Sequence, residues 1–117
     1  MSIRPERYQS HALVELKKSR FLPWGRRSGV LLDLSEVGFK LELTEPMAVR
    51  LGDGLSLTLP LRPLGVIGPP AVTLRCQVKW IDQGRGRIGG IFVRVTTLQR
   101  ALVGQVVENL RQRGLIT

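Results

Sequence analysis

The run Val72-Thr73-Leu74-Arg75-Cys76-Gln77-Val78-Lys79-Trp80 constrains the fold most, because apolar and polar residues alternate along it without a fault. Side chains of a strand point to opposite faces in turn. The run therefore reads as a half-buried strand with Val72, Leu74, Cys76, Val78 and Trp80 inward and Thr73, Arg75, Gln77 and Lys79 in water. Leu55-Ser56-Leu57-Thr58-Leu59 repeats the pattern, and shorter alternations run over Ala12–Lys18, Arg27–Leu34, Gly38–Leu43 and Ile88–Val95. Proline and glycine mark the breaks, at Pro23 and Gly25, at Gly52-Asp53-Gly54, and through the loop from Pro60 to Pro70. Gly89-Gly90, inside the last of these strands, allows a close approach or a bulge. Six short strands with no helix between them imply a largely antiparallel sheet closed as a small barrel.

After Val95 the period changes. Leu98, Leu102, Val106 and Leu110 recur at helical spacing, joined by Ala101 and Val103. Thr96-x-x-Gln99 has the spacing of a capping box. Arg111 and Arg113 suit a helix C-terminus, and Gly114 suits a stop. The expected organisation is a mostly β single domain over residues 1–117. It comprises a flexible basic arm at 1–10, a six-stranded antiparallel β-barrel over 12–95 and a C-terminal α-helix over 97–113.

Composition narrows the chemistry. The one cysteine, Cys76, excludes an internal disulfide and a cysteine-based zinc site within one chain, and it reads as a small buried hydrophobe. One histidine and scattered carboxylates offer no nucleophile–base pair or metal cluster, so no enzymatic activity, metal or cofactor is expected. No apolar run is long enough to span a bilayer, and Met1–Arg7 lacks the apolar core of a signal peptide. A cytoplasmic protein is expected, as a monomer or weak homodimer. The formal net charge is +9, mostly carried by arginine, whose planar fork suits phosphates and the acceptor edge of guanine. This suggests an anionic partner, with a plain solvated basic surface as the competing reading. Nucleic acid is the less favoured partner, since only 5% of residues are aromatic and no stacking platform is evident.

The chemistry concentrates at Asp33-Leu34-Ser35-Glu36-Val37-Gly38, an Asp-x-Ser-x-x-Gly motif between two strand patterns. Asp, Ser and Gly are ordinary turn residues, so a plain hairpin corner competes with any functional reading. A carboxylate only accepts hydrogen bonds, which matches the donors on the Watson–Crick edge of guanine. A serine hydroxyl can donate to phosphate or base.

Taken together, these pieces resemble the PilZ domain, a family of small bacterial β-barrels that act as cyclic di-GMP receptors. The resemblance rests on the basic N-terminal segment, the Asp-x-Ser-x-x-Gly turn, the strand ending Val78-Lys79-Trp80, the Gly90-Ile91-Phe92 strand and the C-terminal helix. It implies cyclic di-GMP as ligand, bound by Arg4, Arg7, His11, Asp33, Ser35 and Gly38, and an unidentified bacterial partner protein that receives the signal. The family's first ligand motif is Arg-x-x-x-Arg. Here Arg7-Tyr8-Gln9-Ser10-His11 has the spacing, with His11 in place of the second arginine. One bidentate guanine contact is worth about 1–3 kcal/mol, so its loss would weaken nucleotide binding or abolish it. A barrel that works as a protein adaptor without nucleotide remains the alternative.

Further cations invite contacts. Arg26 and Arg27 precede a strand and can reach phosphate or simply sit in water, and Lys17, Lys18 and Arg20 form a basic cluster at a strand end. Trp80 reads first as core, with base stacking as its second role.

Overall fold

The computed structural model describes residues 8–9, 12–18 and 25–116. Seven strands precede one helix: β1 (Tyr8–Gln9), β2 (Leu13–Lys17), β3 (Arg26–Leu34), β4 (Gly38–Leu43), β5 (Gly54–Pro60), β6 (Ala71–Asp82), β7 (Arg87–Val93) and α1 (Thr97–Ile116). Strands β2 to β7 form the expected barrel. Every pairing is antiparallel, and the order β3-β2-β5-β6-β7-β4 closes through β3–β4. Closure gives each of these strands a partner on both sides.

The inward stripes fill the interior. Leu16, Leu31, Leu41, Leu57, Leu59, Leu74 and Val78 are sealed from solvent, and Phe39 stacks on Phe92 with ring centroids 5.9 Å apart. Cys76 lies among them, as its place in the alternation predicts. Burial raises its thiol from the ordinary 9.0 to about 12, so it stays a neutral hydrophobe.

Two bulges interrupt the alternation. Leu31 pairs with Leu41 but Asp33 with Lys40, so Leu32 is an extra residue in β3. Val78 pairs with Gly90 but Trp80 with Gly89, so Lys79 is an extra residue in β6. An extra residue shifts the phase by one and turns later side chains over. Trp80, expected inward, therefore faces out and is 41% exposed. In β3 the buried sequence runs Gly29, Leu31, then Leu34 rather than Asp33. The glycines opposite β6 serve as close-approach residues, and the bulge itself lies on β6. A Cβ on Gly90 would meet the Gln77 carbonyl oxygen at 2.2 Å.

The helix covers one end of the barrel, packing on β6 and β1. Its start is a reciprocal capping box. The Gln99 amide donates to Thr96 Oγ1 at 3.1 Å, and the Thr96 amide donates to Gln99 Oε1 at 2.8 Å. Gln99 Nε2 also donates to the Thr73 carbonyl at 2.8 Å, which ties the helix to β6. Leu102, Val103, Val106, Val107 and Leu110 are buried. Each such side chain contributes about 1.5–3 kcal/mol, which outweighs the roughly 1 kcal/mol that a helical glycine costs. The helix accordingly runs through Gly104 and on through Gly114 to Ile116, past the expected end at Arg113. Leu98, expected in the core stripe, is 66% exposed, and Ala101 is exposed as well: the buried face runs through Val103, Val106 and Leu110 in line with Gln99 at the first turn, and both side chains lie off it.

The stretch from Pro60 to Pro70 is a loop, as expected, but not merely a surface one. Leu61, Leu64 and Val66 are buried, and Asn109 Nδ2 donates to the carbonyls of Leu64 and Gly65. At the other end of the chain, the expected flexible arm contains β1. Tyr8 and Gln9 pair with Leu34 and Asp33, because β2 leaves that part of the β3 edge uncovered.

Thr96→Ala should lower unfolding free energy by about 1 kcal/mol, the usual worth of an N-cap side chain, in urea denaturation followed by circular dichroism. An unchanged midpoint would show that the capping box carries no stability.

Candidate functional site

The Asp33–Gly38 turn links β3 to β4 as a closed, internally bonded corner. The Ser35 amide donates to the Gly38 carbonyl at 2.9 Å, and Ser35 Oγ accepts from the Gly38 amide at 3.1 Å and the Val37 amide at 3.3 Å. The Ser35 hydroxyl lies 3.4 Å from the Gly38 carbonyl, a long bond whose hydrogen is easily redirected. Ser35 therefore shapes the turn first. Gly38 has no positive φ among the described backbone angles; its need is space. A Cβ there would sit 2.3 Å from the Gly90 carbonyl oxygen. Of the two roles open to Gly38, close approach is the one observed, and the surface it approaches is β7.

Register then sets the face. Asp33 lies opposite Lys40, Lys40 opposite Gly89, and Gly89 opposite Trp80. Directly paired residues share a sheet face, and Lys40 lies between the buried Phe39 and Leu41, so the whole row faces outward. On the far side of Asp33 the register places Gln9 directly opposite. The outward row thus crosses β3, β4, β7 and β6, with the β1 backbone alongside. Lys40 Nζ sits 4.6 Å from the centroid of the Trp80 ring. A shallow cavity of about 340 Å³ lies here, lined by Phe39, Lys40, Lys79, Trp80, Gly89 and Ile91. Ile91 and Val37 add exposed apolar surface beside it.

The two bulges flank this row and have different energetic reasons. Without the β3 bulge Asp33 would point into the barrel, and an unpaired buried carboxylate costs several kcal/mol. Stability alone accounts for that bulge. Without the β6 bulge Trp80 would continue the inward stripe, where aromatic burial stabilises most. Outside, a surface cation–π contact returns only about 0.5–1 kcal/mol. Stability does not account for the outward Trp80.

Not every expected site residue joins this face. Arg4, Arg7 and His11 lie outside the described residues, as does Arg20; β1 nevertheless fixes Tyr8 and Gln9, between Arg7 and His11, beside Asp33. Arg26 and Arg27 sit at the opposite end of β3. Arg26 faces Glu15 at 3.8 Å, and Arg27 donates to the carbonyls of Arg26 and Pro46. Lys18 is likewise at that end, 3.4 Å from Asp53 and donating to the Ala48 carbonyl. The Arg50 amide and Lys18 hold the Asp53 carboxyl below its usual value. A larger cavity of about 890 Å³ opens there, lined by Leu43, Met47, Val49, Arg50, Ile81 and Ile88 among others. It is the barrel mouth that the helix does not cover, and the motif turn takes no part in its lining. Among the described residues no group of histidine, cysteine and carboxylate side chains is arranged to hold a metal ion, and no helix is long and apolar enough to cross a membrane.

Sequence reading missed Lys40 as part of the face. The available signal was its place between Phe39 and Leu41, two residues beyond the motif glycine and on the same face. The position of Trp80 had no signal, because alternation cannot show a bulge.

The PilZ domain family model matches residues 4–109. The fold is similar to the PilZ domain of CeSA from a cellulose-synthesizing bacterium, with TM-score 0.69 and 18% identity over 92% of this chain and 99% of that one. It is similar to the PilZ domain of YcgR from Escherichia coli, a structure with c-di-GMP, with TM-score 0.63 and 15% identity over 96% of this chain and 95% of that one. It is also similar to MotI (DgrA), an inhibitor of motility from Bacillus subtilis, with TM-score 0.64 and 14% identity over 97% of this chain and 53% of that one. No curated protein sequence matches.

Gly38→Ala should destabilise the unliganded fold by about 1–3 kcal/mol, the usual cost of overpacking, since β7 backbone is in the way. Thermal unfolding without ligand measures it. A wild-type midpoint would mean that β4 and β7 separate without cost and that Gly38 is not a packing residue.

Proposed function

This chain belongs to the PilZ domain family, and on that premise we propose that it is a cyclic di-GMP receptor module that signals to a partner protein. One observation carries the reading. Tyr8 and Gln9, the inner residues of Arg7-x-x-x-His11, pair with Leu34 and Asp33, the first residues of the Asp-x-Ser-x-x-Gly turn. The inner residues of the first motif, far apart in sequence from the turn, thus pair with the residues that open it, which supports the reading. The YcgR domain, whose structure contains c-di-GMP, has the same fold and lends support by analogy.

The roles follow from the groups. Arg7, with Arg4, supplies guanidinium forks for phosphate or for guanine O6 and N7. Asp33 accepts from guanine N1 and N2. Ser35 holds the turn and can redirect its hydroxyl hydrogen toward the ligand. Gly38 keeps β4 close to β7, so the turn stays rigid under load. His11 replaces a permanent fork with an imidazole, which gains a charge and a second donor only in mildly acidic solution. The reading is of a binding module without catalysis, working in the cytoplasm.

The test is calorimetric titration of the full chain with cyclic di-GMP at fixed salt. Wild type should give a saturable heat, and Arg7→Ala and Asp33→Ala should each weaken it. His11→Arg should tighten binding by roughly 5- to 150-fold, the worth of one bidentate contact. Wild-type affinity should rise as pH falls from about 8 to 6. Binding an anion favours the protonated ring, so ligand is preferred where the ring is protonated. His11→Arg should flatten that dependence. Absence of heat for wild type and for His11→Arg alike would reject the receptor reading in favour of a nucleotide-free adaptor. An unchanged affinity and pH slope in His11→Arg would place residue 11 outside the site.

A further inference from the structure

We propose that this chain forms a two-fold homodimer in which Ile67 of each copy enters an apolar groove beside Leu13 of the other. The proposal goes beyond the cyclic di-GMP reading and does not depend on it. Plug and groove are both built into the fold.

The plug is a side chain that the fold holds out in water. The loop between β5 and β6 is pinned along its length. The Leu61 amide donates to the Pro70 carbonyl at 2.9 Å, and the Val66 amide donates to the Leu61 carbonyl at 2.9 Å. Leu61, Leu64 and Val66 are buried, and Asn109 on α1 holds the carbonyls of Leu64 and Gly65. Directly after the buried Val66, Ile67 is 99% exposed, more than any other large apolar side chain among the described residues. Nothing in the single chain covers it. An apolar side chain on an ordered loop has little freedom left to lose on docking, which favours its burial in a partner.

The groove lies on the barrel wall at the foot of the same loop. A cavity of about 430 Å³ is lined by Leu13, Glu15, Ser28, Thr58, Pro60 and Ala71, with Val14 beneath. Leu13 faces outward on β2 and is 65% exposed. Pro60 ends β5 and Ala71 starts β6, so both stems of the Ile67 loop line the groove. That neighbourhood sets the symmetry. A plug beside its own socket lets one two-fold axis close both contacts together, whereas a distant pair would propagate an open chain.

Charge selects a second copy as the occupant. At a net charge of +9 two copies repel each other except where a carboxylate lies between them. Glu15 is the one charged residue lining the groove, and its ion-pair contact with Arg26 is long, at 3.8 Å. Arg62, on the plug loop, is exposed and has no ion-pair partner among the described residues. It is the cation available to Glu15 of the second copy.

Sedimentation velocity of the full chain without nucleotide, from about 10 to 500 µM at about 0.15 M salt, tests this. Wild type should pass from monomer to dimer and no further. The dissociation constant should be on the order of 10–100 µM, as suits a small interface. Ile67→Ser should weaken association at least about 100-fold, because symmetry removes the contact twice. Leu13→Thr should weaken it as well. Each variant alone lacks both contacts, but an equimolar mixture keeps one: Ile67 of the Leu13→Thr copy in the intact groove of the Ile67→Ser copy. The mixture should therefore associate more tightly than either variant alone. Glu15→Lys should weaken the dimer, and adding Arg62→Glu in the same chain should restore it. All four positions are exposed, so melting temperatures of the dilute variants should match wild type and separate lost association from lost folding. A wild type that stays monomeric throughout, a dimer indifferent to Ile67→Ser, growth to larger oligomers, or a mixture no tighter than its components would overturn the proposal.

Discussion

In a closed barrel the phase of each strand is locked by two neighbours, and the candidate site depends on how that lock is broken. Every inward stripe fixes an outward one, so a side chain changes sides only where a strand carries an extra residue. Leu32 is such a residue in β3 and Lys79 in β6, and each turns the following position outward. The outcome is one row in which Asp33, Lys40 and Trp80 face solvent together. The interior takes in no carboxylate, because Leu34 occupies the inward place that Asp33 would otherwise hold.

The rest of the molecule keeps that row rigid. Gly38 and Gly90 let β4, β7 and β6 approach more closely than any Cβ permits, and Phe39 stacks on Phe92 directly beneath. The Ser35 hydroxyl fixes the turn beside it. Helix α1 packs on both β6 and β1, so the strand that carries Trp80 and the short strand beside Asp33 share one support. Binding groups on stiff strands, joined by arginines from an N-terminal segment, would let a ligand tie that segment to the barrel. A partner protein could read that change.

Much of this was legible in the sequence, and the exceptions are instructive. Period-2 alternation identified all six barrel strands to within a few residues, because one buried face demands it, and the Thr96–Gln99 pair marked the helix start because capping is local chemistry. The Asp-x-Ser-x-x-Gly turn stood out for its composition and proved to be a turn. What failed was anything set by cross-strand register. Trp80 looked inward because a bulge leaves no mark in the alternation of its own strand. Tyr8 and Gln9 looked unstructured because their partners, Leu34 and Asp33, are supplied by a distant strand edge. Leu98 fitted the helical stripe, yet the barrel meets the first turn at Gln99, and Leu98 lies off that face.

The most direct test of the central claim, that the face beside the Asp33–Gly38 turn is a cyclic di-GMP site, is a map of backbone NMR shifts during titration of the full chain with that ligand. Saturable shifts should run along β1, Asp33, Ser35, Gly38 and Lys40, and leave Lys18, Thr44 and Met47 at the opposite mouth unmoved. No shifts at millimolar ligand, or shifts centred on that mouth, would contradict it.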